Sequence, residues 1–161
     1  MPDNEICLLA EQVLEHLRHS GRRLVTVESC TGGLISATLS AIPGSSEALE
    51  GGFVTYSNAL KMSAVGVPAT TLTQYGAVSP QTAEAMAAGG LLNTADADLS
   101  VSVTGIAGPG GGTDVKPVGT VCFGLASRSG STVTVQRHFT GDRTSIRVQS
   151  VQQALQMVLK A

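Results

Sequence analysis

The chain is short of charged residues, aromatic residues and cysteine. Charged residues make up 14% of its 161 residues and aromatic residues 3%, and tryptophan is absent. The formal net charge is −2 and no run of Lys and Arg marks a basic surface, so no nucleic acid partner is expected. The three cysteines, Cys7, Cys30 and Cys122, are far apart, which argues against a disulfide framework and a zinc site.

Long apolar runs are also missing. No window approaches the roughly 18 apolar residues of a membrane helix, and the first residues, MPDNEICLLAEQ, lack the apolar core of a signal peptide. We therefore expect a protein of the reducing cytoplasm with no membrane partner. The acidic residues are not spaced as metal ligands, and neither a metal nor a cofactor is predicted.

The residues that are present favour one globular domain over residues 1–161. Hydrophobic residues make up 42% of the chain, and its 19 glycines indicate several glycine-dependent turns. Helices are predicted over 3–19, 34–41, 58–65, 70–75, from 80 and from 142, and strands over 23–28, 52–56, 99–104, 118–126 and 132–139. The pattern predicts an α/β fold: a single layered domain with a mixed, mostly parallel sheet flanked by helices.

A predicted strand runs into a polar glycine turn in VTVESCTGGL, residues 25–34. In open α/β sheets, ligands bind at the carboxyl ends of strands, beside helix N-termini. Ser29 would stand there as a nucleophile, with unpaired backbone N–H groups of residues 30–33 available to an oxyanion. The alternative is that Ser29 or Thr31 only caps the following helix. Cys30 could instead be the nucleophile, but no histidine is placed to activate it.

A second polar group follows the next predicted strand, in YSNALK, residues 56–61. Lysine is scarce, since only Lys61, Lys116 and Lys160 occur in the chain. A lysine desolvated in a pocket becomes neutral more easily and can serve as the general base for a serine. Lys61 is therefore a candidate base for Ser29, and the alternative is a capped helix with a solvated lysine.

Two later segments suit anion binding. TGIAGPGGGT, residues 104–113, has five glycines after an apolar strand, which would let backbone amides approach an anion. A flexible loop is the alternative, and the GK[ST] of a Walker loop is missing. GDRTSIR, residues 141–147, spaces Arg143 and Arg147 so that both could pair with one phosphate or carboxylate. A solvated helix face, with Asp142 as a partner, is the alternative.

Six motifs, taken in order, resemble the CinA C-terminal domain family. They are ESCTGG at 28–33, GGFVTYSNxxK at 51–61, GAVS at 76–79, SVTGIAGPGGG at 102–112, KPVGTV at 116–121 and GDRxxIR at 141–147. Each motif is weak alone, whereas six in the family's order, spanning almost the entire chain, are highly specific. The chain looks like the stand-alone bacterial form, because it has no room for the additional N-terminal domain of longer members.

The resemblance implies hydrolysis of the carboxamide of nicotinamide mononucleotide, giving nicotinate mononucleotide and ammonia in pyridine nucleotide salvage. It implies no metal or cofactor, a homodimer, Ser29 as nucleophile, Lys61 as base and Tyr56 as the accompanying tyrosine. The nucleotide is expected to contact the turn after Ser29, the start of the 58–65 helix, the glycine loop and the arginine pair. The expected contact residues are Cys30, Thr31, Gly32, Gly33, Asn58, Thr104, Gly105, Gly108, Gly110, Gly111, Arg143 and Arg147.

Three other functions stay open at this point. A non-catalytic nucleotide-binding module would need the glycine loop and the arginines, but not Ser29 with Lys61. A competence- or damage-associated interaction protein is suggested by the family's name, although the charge balance argues against direct DNA binding. An amidase acting on a different amide is the third, and the arginine pair would favour an anionic substrate.

Overall fold

Five strands form one mixed sheet in the computed structural model, which describes residues 3–161. The strands are β1 (Leu24–Glu28), β2 (Leu49–Val54), β3 (Leu99–Gly105), β4 (Thr120–Ser127) and β5 (Val133–His138). Their spatial order is β2-β1-β3-β4-β5, with β1 parallel to β2 and β3, and β4 antiparallel to β3 and β5. All strands except β4 therefore run the same way, which confirms the predicted mixed, mostly parallel sheet.

Helices cover both faces of this sheet. They are α1 (Asn4–Ser20), α2 (Leu34–Ser40), α3 (Asn58–Val65), α4 (Ala69–Tyr75), α5 (Pro80–Leu92) and α6 (Arg143–Leu159). The larger apolar core lies under α1, α2 and α6, and the opposite face is covered by α3, α4 and α5. No helix within residues 3–161 is long and apolar enough to cross a membrane. The first two residues of the predicted 1–161 domain, which also begin the segment tested as a signal peptide, lie outside the described residues.

Side-chain caps fix where four helices begin. Asp3 accepts from the Ile6 N–H for α1, and Ser57 accepts from the Leu60 N–H for α3. The other two caps are Ser79 for α5, which has Pro80 at its first position, and Asp142 for α6. Asp and Ser are among the residues preferred at this position, because their side-chain oxygens accept from the free N–H groups of the first turn.

Two glycines in α5 allow this helix to lie against its neighbours. A Cβ on Gly89 would be 1.8 Å from the carbonyl oxygen of Val65, and one on Gly90 would be 2.4 Å from the Oγ of Ser100. Two adjacent glycines would ordinarily weaken a helix. Instead the helix continues to Leu92, because the missing side chains let it approach α3 and β3 closely.

The second strand differs from its predicted bounds of 52–56. It begins at Leu49 and ends at Val54, because its parallel pairing with β1 extends back to Leu49 through Gly51, with Glu50 skipped at an irregularity in the register. The Thr55 N–H still donates to the Glu28 carbonyl, at 2.7 Å, so the chain stays beside β1 for one more residue. The carboxyl ends of β1, β2 and β3 consequently meet at one edge, where a ligand site is expected.

Candidate active site

A cleft of about 230 Å³ lies at the carboxyl ends of β1, β2 and β3. Residues from the turn after β1, the segment after β2, the 76–79 segment, the glycine loop and α6 contribute to it. Its lining residues are Ser29, Cys30, Tyr56, Asn58, Lys61, Ala77, Val78, Thr104, Gly105, Ala107 and Arg143. The polar residues singled out near positions 29, 61, 104 and 143 therefore share one cavity, although they are distant in sequence.

Ser29 and Lys61 are in direct contact at the base of the cleft. The Lys61 Nζ lies 3.0 Å from the Ser29 Oγ, although 32 positions separate the two residues. Both side chains are buried, with 1% of Lys61 and 7% of Ser29 exposed. Lys61 comes from the first turns of α3, and Ser29 directly follows β1. The structure excludes the solvated lysine that the sequence left open.

Two backbone carbonyls hold the Lys61 amine in place. Its Nζ donates to the carbonyl of Thr55 at 3.0 Å and to that of Tyr56 at 3.3 Å. The Ser29 Oγ lies 3.4 Å from the same Tyr56 carbonyl. Burial lowers the pKa of Lys61 from its ordinary value of 10.5, because desolvation disfavours the charged amine. The structure thus favours the neutral form that a general base requires.

Glu28, the residue before Ser29, binds the free N–H groups in the first turn of α2, whose N-cap residue is Gly33. Its carboxylate is fully buried and accepts from the N–H groups of Ile35 at 2.8 Å and Ser36 at 3.0 Å. The hydroxyls of Thr31 and Thr26 donate to the same carboxylate, at 2.8 and 3.2 Å. A carboxylate at a helix N-terminus satisfies free N–H groups and is stabilised by the helix dipole. Neither Ser29 nor Thr31 is the cap, so Ser29 is left free to contact Lys61.

The turn after Ser29 offers fewer free N–H groups than the sequence indicated. The Gly32 N–H donates to the Ser29 carbonyl at 3.0 Å, so it is not available to an oxyanion. Within residues 3–161, the N–H groups of Cys30 and Thr31 have no hydrogen-bond acceptor outside their own residues. Of the turn residues after Ser29, Cys30 lines the cleft, whereas Thr31 is fully buried with its hydroxyl on Glu28.

Cys30 is poorly suited to be the nucleophile. Burial raises the pKa of its thiol to about 12, because the apolar surroundings disfavour the thiolate. The positive charge of Arg147 favours the thiolate, but less than burial opposes it. The structure therefore leaves Ser29 as the better-placed nucleophile in this turn.

The hydroxyl of Tyr56 contacts Arg143 and not Lys61. The phenol oxygen accepts from the Nη2 of Arg143 at 3.1 Å, and 59% of the residue is exposed. The backbone carbonyl of Tyr56, and not its hydroxyl, contacts Lys61. Tyr56 therefore orients the amine through its main chain, while its hydroxyl is bound by Arg143.

The two arginines of the GDRxxIR motif point to different places. Arg143 lines the cleft, and its Nη1 also donates to the Gly108 carbonyl at 2.8 Å. Arg147 donates to the backbone carbonyls of Cys30 and Thr31, at 3.1 and 2.9 Å. It lies along a separate cavity between α1, α2 and α6. Their spacing predicted a pair acting on one anion, and the structure brings only Arg143 to the cleft.

The glycine loop contributes its beginning to the cleft and not its whole length. Gly105 lines the cleft, and Gly108 reaches it through its carbonyl contact with Arg143. Gly110 and Gly111 are exposed and outside the lining set; in the earlier turn, Gly32 is exposed, Gly33 is half-buried, and neither lines the cleft. The expected contacts of these four glycines with a ligand are not supported by their positions.

Two further candidate residues lie at opposite sides of the cleft. Thr104 is buried, and its hydroxyl donates to the Ala77 carbonyl at 2.7 Å, which ties the end of β3 to the 76–79 segment. Asn58 is exposed at the start of α3 and lines the cleft beside Tyr56. Thr104 therefore shapes the wall, whereas Asn58 presents a polar side chain to the opening.

Sequence reasoning did not single out four residues that build the site. Ala77, Val78 and Ala107 form apolar wall, and Thr55 supplies the carbonyl that holds Lys61. The GAVS motif pointed to the 76–79 segment, but a carbonyl acceptor leaves no trace in the identity of its side chain. Within residues 3–161, no group of three or more His, Cys, Asp or Glu side chains is arranged to hold a metal ion.

The sequence matches one protein family and several named relatives over nearly its whole length. The family model described as CinA C-terminal domain matches residues 7–161. The nicotinamide-nucleotide amidohydrolase PncC of Enterobacter agglomerans is 46% identical over 160 residues, covering 99% of this chain and 97% of that protein. The protein of the same name from Escherichia coli K12 is 47% identical over 156 residues, covering 97% and 94%.

Solved structures with the same fold come from the same group of proteins. The competence/damage inducible protein CihA of Agrobacterium tumefaciens is 43% identical, with a TM-score of 0.95 and coverage of 100% of this chain and 99% of that one. A competence-damaged protein (CinA) superfamily protein of Escherichia coli is 35% identical, with a TM-score of 0.92 and coverage of 100% and 94%. The similarity thus extends over the whole fold.

Proposed function

Because this chain belongs to the CinA C-terminal domain family, we propose that it hydrolyses the carboxamide of nicotinamide mononucleotide, with Ser29 as nucleophile and Lys61 as base. The proposed products are nicotinate mononucleotide and ammonia. Similarity over nearly full length to proteins named nicotinamide-nucleotide amidohydrolase supports the substrate. The observation that carries the mechanism is the 3.0 Å contact between two buried groups, the Ser29 Oγ and the Lys61 Nζ.

The hydrogen bonds around Lys61 suit a neutral amine that accepts a proton. A neutral amine has two N–H donors and one lone pair, and the Thr55 and Tyr56 carbonyls take both donors. In the structure the Lys61 Nζ donates to the Ser29 Oγ at 3.0 Å, and in the neutral amine the lone pair takes this third position and accepts the Ser29 proton. A hydroxyl held 3.0 Å from a desolvated base is placed for proton transfer as it attacks.

The first half of the reaction forms an acyl-enzyme. The Ser29 Oγ bonds to the carboxamide carbon while its proton moves to the Lys61 Nζ, and the carbonyl oxygen becomes an oxyanion. Backbone N–H groups beside Ser29 stabilise this charge, and each good donor contributes about 3–4 kcal/mol. The carbon–nitrogen bond then breaks as protonated Lys61 passes its proton to the departing nitrogen, which leaves as ammonia.

The second half returns the enzyme to its starting state. A water oxygen attacks the ester carbon while Lys61 takes a proton from the water. The bond between that carbon and the Ser29 Oγ breaks, and Lys61 returns the proton to Ser29. The carboxylic acid product then ionises to nicotinate mononucleotide. The substrate's pyridinium withdraws electrons from the carboxamide, which makes its carbon more electrophilic.

The rest of the cleft suits a nucleotide whose phosphate lies away from Ser29. Arg143 provides a permanent positive charge for the phosphate, and Asn58 provides an amide for ribose or phosphate oxygens. Binding these remote groups fixes the carboxamide beside Ser29 and lowers the entropic part of the barrier. The cleft is open to solvent at the exposed residues Tyr56 and Arg143, so the nucleotide enters from that side.

We also propose a homodimer that acts in pyridine nucleotide salvage in the cytoplasm. Three exposed apolar side chains support a contact surface between copies: Val54, Leu60 and Met62. Light scattering tests the assembly, and a single-chain mass at micromolar concentration would contradict it.

The test of the activity is incubation of purified protein with nicotinamide mononucleotide in the presence of a chelator. Ammonia and nicotinate mononucleotide are measured for wild type, Ser29→Ala and Lys61→Met. We expect release by wild type and a loss of at least a thousandfold in both variants. Full activity of folded Ser29→Ala would contradict the mechanism. Binding of the nucleotide without hydrolysis by wild type would favour a nucleotide-binding module.

A further inference from the structure

Arg147 contacts the back of the turn that carries Ser29. From α6 its Nε donates to the Cys30 carbonyl at 3.1 Å and its Nη2 to the Thr31 carbonyl at 2.9 Å. The residue is half-buried along a cavity of about 170 Å³ that Ile6, Thr144 and Val151 also line. That cavity lies between helices, away from the cleft that contains Ser29, so Arg147 acts on the turn from outside the cleft.

The backbone links this guanidinium to the N–H that follows Ser29. In a planar peptide unit the C=O and the N–H point in opposite directions. Since the Thr31 carbonyl faces Arg147, the Gly32 N–H points away from Arg147, and it donates to the Ser29 carbonyl at 3.0 Å. The Ser29 carbonyl in turn fixes the next peptide unit, whose N–H belongs to Cys30. Two peptide units in series therefore connect Arg147 to the Cys30 N–H.

This connection also has an electrostatic effect. Hydrogen-bonded dipoles aligned in series polarise one another, and a cation at the carbonyl end strengthens the donor at the far end. Cys30 lines the cleft next to the nucleophile, and its N–H has no acceptor outside its own residue within residues 3–161. The N–H of the residue after a nucleophilic serine is an oxyanion donor in other hydrolases.

We propose that Arg147 is a positioning residue that orients and polarises the Cys30 N–H as an oxyanion donor, and that it does not bind substrate phosphate. The proposal rests on the proposed Ser29–Lys61 amidase function. It gives the two arginines of one motif different roles, because Arg143 lies in the cleft and Arg147 lies behind the turn.

A second set of contacts holds this turn, so Arg147 can be replaced without unfolding it. On its other side, Glu28 binds the Thr31 hydroxyl and the first N–H groups of α2. Loss of the Arg147 side chain therefore leaves the turn attached to α2, and a folded protein is expected. Arg147→Met keeps the apolar part of the side chain and removes the guanidinium, whereas Arg147→Lys keeps a charge that can reach one carbonyl.

The experiment compares nicotinamide mononucleotide with its phosphate-free nucleoside, nicotinamide riboside, at saturating and limiting concentrations. For Arg147→Met we expect kcat to fall about 10- to 100-fold on both substrates by the same factor, with KM changed less than about threefold. Arg147→Lys should recover part of the loss. Arg143→Met, the matched variant one turn away, should raise KM for the mononucleotide only.

A second measurement does not depend on the amide substrate. A fluorophosphonate probe phosphorylates an activated serine through a transition state that the same oxyanion donors stabilise. We expect Ser29 to be labelled about tenfold or more slowly in Arg147→Met than in wild type. If wild type leaves the mononucleotide intact, the proposed substrate fails, and this labelling rate still decides the role of Arg147.

Two outcomes would overturn the proposal. One is an increase in KM confined to the phosphorylated substrate in Arg147→Met, which would make Arg147 a phosphate ligand. The other is unchanged kcat and unchanged labelling in a variant with a wild-type circular dichroism spectrum. If Arg147→Met does not fold, Arg147→Lys is measured in its place, and the same two results apply.

Discussion

The amine of Lys61 and the hydroxyl of Ser29 form a buried pair in which both members are held by one carbonyl. The Tyr56 carbonyl lies 3.3 Å from the Lys61 Nζ and 3.4 Å from the Ser29 Oγ. The segment after β2 therefore fixes the distance between base and nucleophile without using a side chain. This arrangement makes the protonation of one lysine the main determinant of the pH dependence that we expect.

Lys61 should give the protein a stability that rises with pH. Its folded pKa lies below 10.5, whereas the unfolded chain has the ordinary value, so the unfolded state binds more protons between these two values. The free energy of unfolding of wild type should increase through that interval, and activity should appear at its lower end, where Lys61 of the folded protein becomes neutral. Denaturant titrations of wild type and Lys61→Met measure the difference. This prediction would be contradicted if the free energies of unfolding of the two proteins changed with pH in the same way.

Removal of the Tyr56 hydroxyl should have a small effect on the chemical step. The hydroxyl contacts Arg143, while the carbonyl that holds Lys61 is unaffected by Tyr56→Phe. We expect kcat within about threefold of wild type and a modest change in KM, measured by steady-state kinetics. A fall in kcat of a hundredfold would instead assign the hydroxyl to proton transfer.

The thiol of Cys30 should be dispensable. Its pKa of about 12 keeps it protonated at neutral pH, so it neither attacks the substrate nor reacts readily with iodoacetamide. Cys30→Ala keeps the backbone N–H and should retain kcat within a few-fold of wild type. Inactivation by iodoacetamide at pH 8 that Cys30→Ala abolishes would show that the thiol is reactive; Cys7→Ala serves as the comparison.

Glu28→Gln should destabilise the fold. One carboxylate oxygen becomes an amide NH₂ that faces a donor, so a buried N–H or hydroxyl next to α2 loses its acceptor. We expect a loss of about 2–4 kcal/mol in the free energy of unfolding, measured with urea. Glu50→Gln, in a partly exposed pair with Arg23, is the control and should cost about 1 kcal/mol or less. Equal effects in the two variants would contradict the role of Glu28.

Gly89→Ala should move α3 away from α5. The new methyl group would meet the Val65 carbonyl oxygen at the end of α3, the helix that carries Lys61. We expect a loss of about 1–3 kcal/mol in stability together with lower activity. Gly130→Ala, at a turn where a Cβ meets nothing within 4 Å, should change stability by less than about 0.5 kcal/mol. Thermal melts and kinetics on both variants distinguish these outcomes.

The fold was predictable because its signals are local. Capping residues such as Asp142 and Ser79, and the alternation of apolar segments, locate helices and strands without reference to the rest of the chain. The bounds of β2 were not predictable, because Leu49 and Gly51 are strand residues only by virtue of their pairing with β1. Tertiary pairing determined this strand, and its own propensity did not.

The site was predictable only where side chains carry the signal. Ser29 and Lys61 could be named because a polar residue after a strand and a scarce lysine stand out, and the topology brings the two strand ends together. The different roles of Arg143 and Arg147 could not be predicted. Helical spacing places both on one face, but it does not show that the guanidinium of Arg147 donates to backbone carbonyls. The role of Thr55 could not be predicted either, because Thr55 acts through its backbone carbonyl.

The main-chain support of Lys61 has a consequence for variation and engineering. Every amino acid at position 56 supplies the same carbonyl oxygen, so the exposed side chain there is free to change while the base stays in place. Tyr56 also stands at the cleft opening. Substitutions at position 56 should therefore change which amides enter the cleft while Ser29 and Lys61 keep their positions. This position is the natural starting point for changing the substrate range.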